Sequence, residues 1–141
     1  MKKVFLILLT VTLFNCSSDD YNNDETQTIP EATILGRWVL MGFEDTIRYE
    51  FTETKRFSIY SVDGTFPTLE EFNQQNPQLT GHDWYYEGDK ITVDLNFGNL
   101  STLTPEFTCD NYVVRWLNDD GETHSVYYRE NFDVSGCSDL E

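Results

Sequence analysis

Positive charge is scarce in this chain. Its 141 residues hold 9 lysines and arginines against 25 aspartates and glutamates, a formal charge of −16. That balance excludes nucleic acid and anionic headgroup surfaces as partners reached through charge. Histidine is scarcer still: His82 and His124 stand far apart, each without a second ligand at metal spacing, and define no metal site. Acidic residues are abundant enough for calcium, but Asn118-Asp119-Asp120-Gly121 lacks the alternating ligands of an EF-hand loop. No metal and no other cofactor is expected. The chain also lacks G-x-S-x-G, a glycine-rich phosphate loop and H-E-x-x-H. Asp83 with Glu87 or Asp94 would serve as a carboxylate pair for glycoside hydrolysis, but in so acidic a chain such pairs arise by chance. The expectation is a protein that is not an enzyme, with no catalytic residue.

Long apolar runs are missing too. The opening one, Val4 to Leu13, is interrupted by Thr10 and Thr12 and follows Lys2 and Lys3. As a helix it would rise only about 15 Å, roughly half a hydrocarbon core, which suits a signal peptide rather than a span. It ends in Leu13-Phe14-Asn15-Cys16 instead of an A-x-A-like cleavage site. Leu13 and Cys16 resemble a bacterial lipobox, with Asn15 where that pattern carries Gly, Ala or Ser. The resemblance implies cleavage before Cys16 and lipidation of its thiol with palmitate-type acyl chains, which anchor stably at about 0.8 kcal/mol per buried methylene. Ser17-Ser18-Asp19-Asp20 is similar to the acidic tag that directs Bacteroidetes lipoproteins to the outer face of the outer membrane. The competing reading is a conventionally cleaved signal that leaves Cys16 free.

Cysteine is limited to three residues. With Cys16 lipidated, Cys109 and Cys137 remain, and two thiols in an oxidising compartment predict one disulfide. A zinc pair or a catalytic thiol would need nearby histidines that the sequence does not supply.

Residues 16–33 show no apolar period and are expected to form a flexible acidic tether after the 1–15 signal peptide. From Ile34 the texture changes to short aromatic and β-branched runs between turn signals. They fall at Gly36 to Phe43, Ile47 to Phe51, Arg56 to Val62, His82 to Glu87, Lys90 to Leu95, Leu100 to Phe107, Tyr112 to Leu117 and His124 to Arg129. Between the third and fourth, Thr68-Leu69-Glu70-Glu71 has capping-box spacing and predicts a turn of helix within the longest excursion, Phe66 to Thr80. No heptad or long helical period competes. Eight antiparallel strands with short links must curl shut or split into a sandwich, so the fold class is all-β.

Leu35-Gly36-Arg37-Trp38 carries the G-x-W that opens the first strand of lipocalins and related calycins. The region Ile34 to Arg129 resembles the small lipocalin-like lipoproteins of Bacteroidetes. The resemblance implies an up-and-down barrel or half-barrel over 34–129, with Trp38 packed at the closed end under Arg129 as a structural pair. Residues 130–141 would be a polar tail pinned by the disulfide. Aromatics make up 15% of the chain, and clusters such as Trp84-Tyr85-Tyr86 and Tyr127-Tyr128 suit a sugar face, a small ligand or a protein interface. Trp84, Tyr86 and Tyr128, at the open end beside the Phe66 to Thr80 loop, are the expected ligand contacts. The expected function is binding of a small hydrophobic ligand or glycan at the cell surface. A rival is an accessory subunit docking on an outer-membrane protein partner, and a third reading is a small polysaccharide hydrolase.

Overall fold

The computed structural model describes residues 31–140. The expected signal peptide, Cys16 and residues 16–30 of the expected tether lie outside the described residues. Eight strands follow in chain order: β1 (Gly36–Leu40), β2 (Ile47–Phe51), β3 (Lys55–Tyr60), β4 (His82–Glu87), β5 (Lys90–Asp94), β6 (Leu100–Thr108), β7 (Val113–Leu117) and β8 (Thr123–Arg129). Each pairs antiparallel with the next, and β8 returns to β1 through Trp38↔Arg129, Val39↔Tyr128 and Leu40↔Tyr127. The result is a closed up-and-down barrel without a free sheet edge, an architecture compatible with a lipocalin-like fold. Strands run one to three residues shorter than the apolar texture suggests at some ends, because Met41 and Phe43 already belong to a turn.

One end of the barrel is plugged. Trp38 is fully buried, and its indole N–H donates to the Ile34 carbonyl at 2.6 Å. The Arg129 guanidinium lies 3.9 Å over the indole ring and donates to the carbonyls of Leu35 and Thr33. Gly36 starts β1 at φ +100, and a Cβ there would meet Arg129 Nη1 at 2.9 Å. Glycine is therefore required twice over, by backbone conformation and by the approach of the arginine. Above this plug, Phe51, Trp84, Ile91, Val114, Trp116 and Tyr127 form the interior core.

The β3–β4 seam is the thin place in the wall, with only Lys55↔Asp83 and Arg56↔His82 in register. The connection there carries α1 (Leu69–Gln75), which starts from a complete capping box between Thr68 and Glu71. Its buried Phe72 packs with Phe57 and Ile59 in a second apolar cluster, together with Phe66 and Leu69. Register puts Phe57 opposite Glu50 and Ile59 opposite Arg48, on the outer wall. The helix is thus a cover for the outside of the barrel, and it leaves the inward face of β3 to Arg56 and Ser58.

Cys109 and Cys137 stand at disulfide distance, Cα–Cα 5.7 Å, closing a span of 28 residues. The bridge ties the tail to the β6–β7 turn at the plugged end, beside a Tyr112–Phe132 stack at 4.7 Å. Cys109, Asp110 and Asn111 all adopt positive φ in that turn, a conformation disfavoured for a residue such as Cys.

Two stability predictions follow from these contacts. Gly36→Ala should destabilise by about 2 kcal/mol or more in urea melts. Gly88→Ala, also at positive φ but with nothing within 4 Å of the added carbon, should lose only the backbone part, about 1 kcal/mol. Equal losses would show that the arginine contact carries no weight. Cys137→Ser should lower stability by about 3 to 4 kcal/mol, the chain-entropy value for this loop length.

Candidate functional site

The barrel is not filled to its other end. The end of β5 and the starts of β6 and β8 border a cavity of about 220 Å³. Tyr49, Phe51, Trp116 and Tyr127 make its aromatic wall, and Ile91, Val93, Leu95 and Leu103 its aliphatic one. Arg56, Ser101 and His124 complete the lining, which contains no carboxylate.

Strand register explains how these groups meet. Phe51↔Arg56, Pro105↔Trp116 and Val114↔Tyr127 are partners on the inner face, and period-2 alternation carries Tyr49 and Ser125 to the same side. The rings then form a connected set. Tyr49 stacks on Tyr127 at 5.1 Å, Tyr127 meets Trp116 edge-on at 5.6 Å, and Trp116 stacks on Phe51 at 6.3 Å. The Arg56 guanidinium sits 4.8 Å over the Tyr49 ring. Burial pushes the Tyr127 phenol far above its ordinary pKa and neighbouring Tyr49 adds to the rise, while Arg56 opposes it. Tyr127 is therefore a neutral hydrogen-bonding group at any physiological pH.

Two donors at this cavity lack a hydrogen-bond partner among the described residues: Arg56 Nε and Trp116 Nε1, both buried. Buried donors without partners are uncommon in folded proteins and point to a ligand, an ion or ordered water.

The structure does not bring Trp84, Tyr86 and Tyr128 together. Trp84 is a core residue whose indole donates to the Thr52 carbonyl at 2.9 Å, near the β2–β3 turn. Tyr86 follows it toward the plugged end, edge-on to Trp84 at 5.5 Å and 55% exposed. Tyr128 pairs with Val39 and Val113 on the outer wall. None of the three lines the cavity. The reason is barrel shear and alternation: adjacent tyrosines on one strand point to opposite sides, and β4 enters the barrel low on β3.

The Phe66 to Thr80 excursion does border a larger hollow of about 390 Å³, between α1 and the β3–β4 seam. Its lining includes Tyr60, Phe72, Leu79, His82 and Asn96. His82 is already engaged there, with Nδ1 3.0 Å from the Asp94 carbonyl and 3.2 Å from the Asn96 amide. Size alone favours this hollow, but the unpartnered donors are in the barrel interior, and those mark the better site. The carboxylates weighed for hydrolysis do not converge on either: Asp83 pairs with Lys55 at 2.7 Å, and Glu87 accepts from the Thr92 hydroxyl. Among the described residues no group of three or more His, Cys, Asp or Glu side chains could hold a metal ion.

The residues that sequence reasoning passed over are Arg56 and Tyr49. Their one signal is alternation on β3, where a cation shares a face with Ser58 and Tyr60 while Phe57 and Ile59 take the other. No protein-family model, curated protein or solved structure matches the chain.

A raised phenol pKa makes a stability prediction. Tyrosine ordinarily titrates near pH 10. Because the folded value is higher, the contribution of Tyr127 is fully present below about pH 10 and is lost as pH rises beyond it toward the folded value. In urea melts above that pH, the wild type should lose up to about 1.4 kcal/mol per pH unit more than Tyr127→Phe. Parallel alkaline slopes would mean that this phenol titrates normally.

Proposed function

We propose that the protein is a non-enzymatic, lipocalin-like lipoprotein, anchored through Cys16 at the outer membrane and facing the exterior, that binds a small ligand inside its barrel. One observation carries the binding part. The interior ends in a cavity of about 220 Å³ lined by two residues with buried, unpartnered donors, where a purely structural barrel would be packed through. An apolar lining with a few convergent polar groups is what a ligand site needs. The cavity supports a small molecule over a glycan, since the three rings expected to form a sugar platform stand apart. The anchoring part rests on Leu13, Cys16 and the acidic residues that follow.

Docking on an outer-membrane partner has one observation in its favour. Apolar side chains crowd the loops around the unplugged end: Phe97 is 100% exposed, and Phe43, Val62, Leu79 and Leu100 are also exposed. Such a rim is a recognition surface when it is contiguous.

Labelled palmitate should be incorporated into the wild type and not into Cys16→Ser, which should leave the membrane fraction; label on the variant overturns the anchor. Native mass spectrometry of the protein from an oxidising periplasm should reveal a stoichiometric small adduct. Ser101→Trp, which fills the cavity between Val93 and its neighbours, should abolish it. A bare monomer, unable to take up any small molecule, would remove the binding reading in favour of the rim.

A further inference from the structure

Arg56 is out of keeping with the rest of this chain. Acidic residues far outnumber basic ones, and the other described cations are matched. Arg37 and Arg48 meet Glu50 and Glu130, while Lys55, Lys90 and Arg115 each hold a carboxylate. Arg129 is occupied with backbone carbonyls. Arg56 has neither a carboxylate nor a carbonyl partner of this kind among the described residues, and it lines a cavity whose other lining residues carry no carboxylate. The guanidinium is held in place from one side by the Tyr49 ring, itself stacked on Tyr127. Arg56 and Trp116 line the same cavity, and the Nε of one and the indole N–H of the other are buried without a partner among the described residues.

A half-buried guanidinium whose Nε lacks a partner and a buried indole N–H without one have one economical complement, an anion that accepts from both. The remaining wall is apolar, which disfavours a bare inorganic anion and calls for an organic body. The volume limits that body. A cavity of roughly 150 Å³ accommodates a benzene ring, so about 220 Å³ holds on the order of nine or ten heavy atoms. A long acyl chain does not fit.

We infer that the barrel interior is a site for a small organic monocarboxylate, its carboxylate on Arg56 and the Trp116 N–H and its apolar body against Phe51, Ile91 and Val93. The inference rests on the interior-binding reading above and names the ligand class for it. Tyr127 contributes a neutral hydroxyl, so charge recognition falls to Arg56. Arginine suits this role because its planar fork matches a carboxylate.

The test uses the mature chain with its disulfide intact, titrated by tryptophan fluorescence and calorimetry. Four probes are compared: phenylacetate, its uncharged amide phenylacetamide, the cation phenethylamine, and palmitate. Phenylacetate should bind one to one, at least about tenfold tighter than the amide, the amine or palmitate. Arg56→Met should weaken phenylacetate at least about tenfold and leave phenylacetamide within about threefold, with Arg56→Lys recovering part of the loss. The comparison of probe charge is made on the unaltered protein, so it stands even where a variant folds poorly. Phenylacetamide or phenethylamine binding as tightly as phenylacetate would overturn the charge inference and leave interior binding intact. Palmitate binding most tightly would overturn the size inference. Saturable binding by none of the four would overturn both this inference and the reading it rests on.

Discussion

Arg129 holds its charge against the face of Trp38 and its N–H groups against the carbonyls of Thr33 and Leu35. The barrel depends on that contact. Trp38 and Arg129 are register partners across the β1–β8 seam, the one that converts a curled sheet into a closed one. The same arginine straps the entering chain over the barrel floor, so closure and plugging are one event. The indole N–H is bonded to the Ile34 carbonyl, and the two aromatic cluster members nearest the floor, Trp38 and Phe107, meet at 6.4 Å. A barrel of strands mostly five to seven residues long has little interior to spare. Closing one end with a single large pair leaves what room remains at the other.

The second constraint is the cover over β3. Turning Phe57 and Ile59 outward would expose them were it not for Phe72, Phe66 and Leu69. Because α1 supplies that cover, β3 can turn a charged residue inward without losing its hydrophobic anchorage. The arrangement inverts the common rule for a one-faced strand, in which apolar residues go in and polar ones out. It is a local conflict of the kind that marks functional positions. Arg48 adds to the cover from the barrel side, its guanidinium 3.8 Å over the Phe66 ring.

Much of this fold was legible in the chain. Turn signals such as Gly88 after Glu87, and Asn96 to Asn99, set off the strands, and the period-2 pattern of Ile91 and Val93 marks a core face, although Thr92 on the opposite face is buried as well. The Thr68–Glu71 spacing gave the helix start, and the two remaining cysteines gave the disulfide. What the sequence withheld was direction. Alternation on β3 separates Phe57 and Ile59 from Arg56 and Ser58, but period-2 patterning is silent on which set faces in when both faces are covered. For the same reason Trp84, Tyr86 and Tyr128 could be read as neighbours, although shear carries them to core, floor and outer wall. The interior site depends on six strands meeting, and no local stretch of sequence contains it.

The strap at the floor also sets the end of the barrel at which the chain enters. Thr33 and Leu35 are bound to the last strand at the plugged end, so whatever holds the residues before Glu31 holds the barrel by its base. A lipid at Cys16 would therefore be joined to the cup at its floor, leaving the mouth at the end away from the attachment point. Molecules would then exchange with the cup from solution and not by lateral passage out of the membrane. Such a geometry favours water-soluble cargo over species that partition into lipid.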